Sequence, residues 1–196
     1  KHGLRMAGLE NKIYRIRAAD KINKIKKNTL IILSTKVYDS EKSINPIKNL
    51  LRKDTIILCL QNGMNSEDIV KKIVGGRCTV LRGITNFGAI YLKPGHVNYT
   101  NYSYTAIEKS RKSNEIAGNF KKCGLNGYAA SDIKYEMWKK LIFNCVLNPI
   151  TAILKMKNKG IIDEKINPLK KLVVDECLAV SRKDGIYFDI DFVKAI

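Results

Sequence analysis

Histidine is nearly absent from this chain. Only His2 and His96 occur among its 196 residues, and they stand apart. The five cysteines (Cys59, Cys78, Cys123, Cys145, Cys177) are widely spaced and form no Cys-x-x-Cys pair. This argues against a structural zinc site and against a disulfide scaffold, and it suits the reducing cytosol, so a cytoplasmic protein is expected. Long apolar runs are also missing. The longest, Leu141 to Leu154, is interrupted by Asn144, Asn148 and Pro149 and is too short to span a bilayer. The opening Lys1-His2-Gly3-Leu4-Arg5 has no charged-then-apolar signal pattern, so no membrane partner is expected. The Asn-x-Ser/Thr triplets at Asn98 and Asn101 therefore read as chance matches. Several motifs are absent too: Gly-x-Gly-x-x-Gly, a P-loop, His-Glu-x-x-His and a Gly-x-Ser-x-Gly elbow. Gly75-Gly76 follows a helical stretch rather than a strand.

Negative charge is scarce. Against 36 Lys and Arg stand 18 Asp and Glu, a formal net charge of +18. Such a surplus raises nucleic acid, an anionic membrane or an anionic small molecule as a partner. The surplus is concentrated in residues 1–53, which carry 14 basic and 4 acidic residues. Most of the cations are lysines scattered beside Ile and Asn, with no Arg-rich run and no RNP, helix-turn-helix or zinc-finger pattern. The plainer reading is a solvated basic surface from a Lys/Ile/Asn-rich composition, with no nucleic-acid partner expected. Attraction of an anionic cofactor or substrate stays open. At 45 % apolar residues the chain can fill a core, which rules out disorder.

Residues 12–17 alternate weakly, as a strand does. Residues 29–35 and 55–60 are short, continuous apolar runs rich in β-branched residues. Such runs suit strands buried on both faces of a parallel sheet. Between them, Ser40 to Arg52 reads as a crossover helix with Ile44, Ile47, Leu50 and Leu51 on one face. Ser66 to Val74 reads as a second helix, and Cys78 to Leu81 as the next strand. This rhythm predicts a doubly wound α/β sheet. Phe87–Leu92, His96–Thr100 and Tyr104–Ile107 then read as an antiparallel meander, with Lys93-Pro94-Gly95 as a turn. Residues 111–123 predict a helix stopped by Gly124, and Gly127 to Ala130 a brief extended piece. From Ser131 the pattern is helical, through Glu136 to Val146 and again from Ile166 to Lys183. We therefore place a boundary near Ser131, giving residues 1–130 and 131–196 as two domains. A doubly wound fold ordinarily opens on a strand, a Gly-rich turn and a helix. Here the first such strand already lies in mid-sheet, so both ends read as cut and a fragment is expected.

Three clusters bear on chemistry. Lys140, Asn144 and Asn148 are spaced by four and fall along one slowly drifting helical stripe. Their neighbours are almost wholly apolar, so the segment is expected to be buried. Two amides and an ammonium in a buried helix are costly without partners. A polar ligand would supply partners, and so would bonds to neighbouring helices. Pro149 has no N–H, which frees the carbonyl of Cys145. The second cluster, Gln61-Asn62-Gly63, directly follows a strand, where ligands of open α/β sheets bind; it is equally an ordinary Asn-Gly turn. The third, Ser34-Thr35-Lys36, follows another strand, and Lys36 can either reach a phosphate or stay solvated.

Taken in order, these clusters resemble the ketopantoate reductase (2-dehydropantoate 2-reductase) family. The similar stretches are Thr35-Lys36-Val37-Tyr38-Asp39, Gln61-Asn62-Gly63, Gly83-Ile84-Thr85 and Pro94-Gly95-His96-Val97. The most specific is Trp-x-Lys-Leu-x-x-Asn-x-x-x-Asn-Pro-x-Thr-Ala, matched from Trp138 to Ala152. The opening Gly3-Leu4-Arg5 is similar to the stretch after that family's second strand. The resemblance implies a Rossmann-like doubly wound sheet, incomplete at its N-terminus. An all-helical domain like the C-terminal domain of 6-phosphogluconate dehydrogenase would follow it. It implies NADPH-dependent reduction of ketopantoate to pantoate on the route to coenzyme A, with a homodimer possible. By matched position Lys140 is implied as general acid, Asn62, Asn144, Asn148 and Asn158 as substrate contacts, and Lys36, Asn62 and Ala89 as NADP(H) contacts. The family has Asn-Gly where this chain has Asn158-Lys159-Gly160. The Gly-rich turn and the reader of the 2′-phosphate would lie upstream of Lys1, so these 196 residues alone are expected to bind NADPH weakly. Two other readings stay open: a related reductase of another 2-oxo acid, and an inactive, basic binding module.

Overall fold

A computed structural model describes residues 3–194; His2 lies outside them. The chain divides into two compact units between Ile133 and Lys134.

The first unit is built on a seven-stranded mixed sheet. Its strands are β1 (Leu4–Gly8), β2 (Lys12–Tyr14), β3 (Leu30–Leu33), β4 (Ile56–Cys59), β5 (Thr79–Lys93), β6 (His96–Ile107) and β7 (Gly127–Ala129). They lie in the order β2-β1-β6-β5-β4-β3, with β7 beside β6. The apolar runs seen in the sequence form β3, β4 and the start of β5, which pair in parallel with Leu33 opposite Cys59 and Cys59 opposite Arg82. Successive side chains of these strands point to opposite faces. Leu33, Ile57, Cys59 and Val80 face one way, onto Ile44 of α1 (Ser40–Ile44), Ile47, and Val70 and Val74 of α2 (Ser66–Val74). Leu58 and Leu81 face the other way and join Ile107 and the Ile116, Ala117 and Phe120 side chains of α3 (Ser113–Lys122). Helices therefore cover both faces of the parallel strands, and the unit is a Rossmann-like, doubly wound α/β fold. Gly127 lets β7 approach α3 closely: a Cβ there would stand 2.7 Å from Phe120 Cβ.

Three local readings need correction. The crossover expected as one helix over Ser40–Arg52 is a single α-turn, α1, followed by a 3-10 segment over Asn45–Leu50. Pro46 opens that segment; without an N–H it cannot donate to the Lys42 carbonyl, and the chain tightens. The meander is one long hairpin, β5 and β6, joined at Pro94-Gly95. Register shifts at Thr85/Phe87, Gly88/Ala89 and Tyr91/Lys93 break its alternation, so the sequence reads as separate pieces. The strand expected over residues 12–17 stops at Tyr14 and pairs antiparallel with β1, which also runs parallel to β6.

The second unit is helical. It contains α4 (Ile133–Ile153), 3-10 turns at Asn158–Ile162 and Glu164–Ile166, α5 (Asn167–Lys183) and α6 (Ile190–Lys194). Asp184, just past α5, ties back to α4. It accepts from Lys134 Nζ and from Trp138 Nε1, both at 2.7 Å. An aromatic row (Tyr135, Phe188, Phe192, Phe143) links α4 to α6. Among the described residues no helix is long and apolar enough to cross a membrane, and no cluster of metal-ligating side chains occurs.

Candidate active site

Because β3 and β4 are adjacent and parallel, the loops that follow them emerge at the same edge of the sheet. Lys36 and Asn62, the first a candidate cofactor contact and the second a candidate for both ligands, are thereby brought together at the carboxyl ends of neighbouring strands. Both side chains are exposed. The two loops are tied by Gln61, which is only 4 % exposed. Its Nε2 donates to Ser40 Oγ at 3.0 Å and to the Lys36 carbonyl at 3.2 Å. Its Oε1 is buried and meets no protein donor. Ala89 is not part of this edge. It sits seven residues past Arg82 on β5, roughly 20 Å along an extended strand, beyond two of the register shifts.

The loop between β4 and α2 is bent sharply: Gly63 has φ +98° and Asn65 has φ +59°. It is held from beneath by Arg82, a charged residue inside a buried strand and 2 % exposed. The guanidinium donates to the Gly63 carbonyl at 2.6 Å and to Ser66 Oγ, and it pairs with Glu67 at 3.3 Å. Burial pushes the Arg82 pKa below the usual arginine value, and Glu67 opposes that shift. Neither Arg82 nor the bridging role of Gln61 was identified from the sequence. The only local signal was a lone Arg continuing an apolar strand.

In the second unit Lys140, Asn144 and Asn148 lie along α4 as their spacing requires, but not in a buried segment as expected. The buried stripe of α4 is Trp138, Ile142, Val146 and Ile150. The polar stripe is offset by two residues, roughly 200° round the helix at 100° per residue. Lys140 and Asn144 are half-buried and Asn148 is exposed. α4 continues through Pro149, and Thr151 Oγ1 donates to the Leu147 carbonyl at 2.7 Å. Asn158 is exposed at the start of the following 3-10 turn. Asp184, which fixes α4 through Lys134 and Trp138, was also missed; hydrogen bonds from those two residues hold its carboxyl below the usual range.

These two sets of residues can be set against known proteins. Residues 1–112 match the family model for ketopantoate reductase PanE/ApbA, and residues 132–196 match the model for its C-terminal part. The chain belongs to the ketopantoate reductase family. A 2-dehydropantoate 2-reductase of Pyrococcus horikoshii is 35 % identical over 196 residues, covering 97 % of this chain and 64 % of the relative. One from Archaeoglobus fulgidus is 30 % identical over 199 residues, covering 96 % and 64 %. The chain thus spans 64 % of the length of both relatives. Among solved structures, a PanE/ApbA family ketopantoate reductase from Ralstonia eutropha JMP134 superposes with a TM-score of 0.83 at 22 % identity, covering 99 % of this chain and 65 % of that one. D-mandelate dehydrogenase, solved with NADH and anilino(oxo)acetate, superposes with a TM-score of 0.82 at 26 % identity, with the same coverage.

Proposed function

We propose that the protein to which this chain belongs is a cytoplasmic oxidoreductase that reduces 2-dehydropantoate to pantoate with NADPH, a step toward coenzyme A, and that it works as a homodimer. The observation that carries this is the polar stripe Lys140-Asn144-Asn148 on α4, which lies on the side of the helix away from its buried stripe, with Lys140 and Asn144 half-buried and Asn148 exposed. The first unit fits a nicotinamide cofactor: an exposed ammonium (Lys36) and an amide (Asn62) stand at the carboxyl ends of adjacent parallel strands. A buried acceptor, Gln61 Oε1, also lacks a protein donor there. The bound cofactor supplies the hydride that the reduction needs. Lys36 would hold a cofactor phosphate, Asn62 would meet both ligands, and the backbone at Ala89 would line the cofactor further along β5.

The remaining chemistry belongs to α4. Reduction of a 2-keto carbon places negative charge on its oxygen. Lys140 stabilises that charge and delivers the proton, a role worth ~10²–10⁴-fold in rate. Asn144, Asn148 and Asn158 each offer a donor and an acceptor, which suits a substrate carrying carboxylate, keto and hydroxyl groups. A second reading, reduction of another 2-oxo acid with NADH, is favoured by the likeness to D-mandelate dehydrogenase.

The test follows NADPH and NADH oxidation at 340 nm in the full-length protein with ketopantoate, comparing wild type with Lys140→Ala. Turnover that falls about a hundredfold or more in the variant is expected. No turnover of ketopantoate by wild type would overturn the substrate assignment, and an undiminished Lys140→Ala would overturn the role of Lys140.

A further inference from the structure

Arg82 is placed against electrostatic preference. The start of a helix carries partial positive charge from its unpaired N–H groups, so cations there are ordinarily disfavoured. Yet the Arg82 guanidinium lies buried beside the first two residues of α2, Ser66 and Glu67. Burying a charge is also costly unless it is paired and hydrogen-bonded. Glu67 offsets both costs in part. What the guanidinium adds is a grip on the loop: one arm reaches Ser66 and Glu67, and the other reaches the Gly63 carbonyl at 2.6 Å. The strand beneath is itself fixed, since the Arg82 N–H donates to Glu108 Oε2 at 2.7 Å and the Glu108 N–H donates to the Arg82 carbonyl at 2.8 Å. The planar fork of arginine can hold two diverging partners at once; a lysine ammonium is a single point and cannot span them.

We propose that Arg82 is a positioning residue for the Gln61–Asn65 loop, fixing the Gly63 carbonyl and with it the direction in which the Asn62 amide meets cofactor and substrate. The inference rests on the reading that Asn62 is a ligand contact. The loop has left-handed backbone at two of its five residues, Gly63 and Asn65, so it needs a tie from outside its own five residues. Gln61 ties it sideways to the loop after β3, and Arg82 ties it downward to the sheet. An amide displaced by about 1 Å from its ligand can cost up to ~100-fold in catalysis, so the downward tie has functional weight.

The test compares wild type, Arg82→Met and Arg82→Lys in the full-length protein. It measures NADPH and NADH dissociation constants by fluorescence titration, KM and kcat with ketopantoate, and amide hydrogen exchange over residues 61–65. Arg82→Met is expected to weaken cofactor binding or raise KM by ~10–100-fold, to speed exchange in residues 61–65, and to leave exchange in β4 unchanged. Arg82→Lys is expected to fold and to recover only part of the loss. If Arg82→Met fails to fold, Arg82→Lys decides by the same readouts. Constants within twofold of wild type together with unchanged exchange at 61–65 would overturn the proposal. So would a fall in kcat alone with exchange raised uniformly, which marks general destabilisation. If wild type does not reduce ketopantoate, the substrate reading fails separately, and cofactor binding and exchange still decide the role of Arg82.

Discussion

Replacing Gln61 by Met tests whether the tie between the loops that follow β3 and β4 has the energy its geometry assigns. The side chain is 4 % exposed and makes two hydrogen bonds of good length, to Ser40 Oγ at 3.0 Å and to the Lys36 carbonyl at 3.2 Å. Its 3.5 Å approach to Thr35 Oγ1 is too long to count. Two neutral hydrogen bonds contribute about 1–3 kcal/mol net. Met also removes Oε1, a buried acceptor with no protein donor, which returns roughly 1 kcal/mol. At the middle of these ranges the expected loss is about 1 kcal/mol, or roughly 2–4 °C in the melting temperature of a domain of this size. Urea unfolding followed by far-ultraviolet circular dichroism measures it. The single tryptophan, Trp138, lies in the second unit, so its fluorescence reports whether that unit is left undisturbed. Gln61→Ala should lose more, because a cavity is added. A Gln61→Met protein within about 0.5 kcal/mol of wild type, the range of an ordinary surface change, would refute the bridging role.

Two further outcomes follow from burial and charge. Leu58 and Ile32 are paired across β3 and β4 and point to the same face, yet Leu58 is fully buried and Ile32 is 48 % exposed. Leu58→Ala should cost about 2.7–5 kcal/mol and Ile32→Ala about 1 kcal/mol, measured by denaturant midpoints at constant m; equal costs would contradict the described packing. The Asp184 carboxyl is held below its ordinary value of 3.8 by hydrogen bonds from Lys134 and Trp138. Its stabilising contribution is thus present above that ordinary value and is lost as pH falls through the lower, folded one. Asp184→Asn should flatten the acid limb of the stability–pH profile below about pH 4, and an unchanged limb would show that the pairing is absent in solution.

The parts of the fold that rest on local pattern were legible in the sequence. The apolar runs became β3, β4 and the start of β5, and Ser66–Val74 is a helix as its first turn predicted. The long hairpin was not legible, because three register shifts interrupt the alternation that marks a strand. α1 was misread because Pro46 ends the α-helical bonding inside a stretch whose apolar spacing still reads as helical.

The candidate site divides along the same line. The candidate site residues stand in contiguous motifs, so Lys36, Asn62 and Lys140 could be named from spacing and resemblance. Their burial could not. From Leu141 onward α4 is mostly apolar around its polar stripe, and composition alone does not say which face packs; the positions of Trp138, Ile142, Val146 and Ile150 show that the polar stripe faces the other way. The residues that hold the site are further from legibility still. Arg82 reaches Gly63 because Cys59 lies opposite Arg82 in the sheet, which places the guanidinium beneath a loop 19 residues earlier in the chain. That juxtaposition is a property of strand register, and no window of sequence contains it. A candidate motif can thus be read locally, but the residues that hold its loop are set by pairing between distant strands. A lone charged residue inside an otherwise apolar strand is therefore the place to look for them.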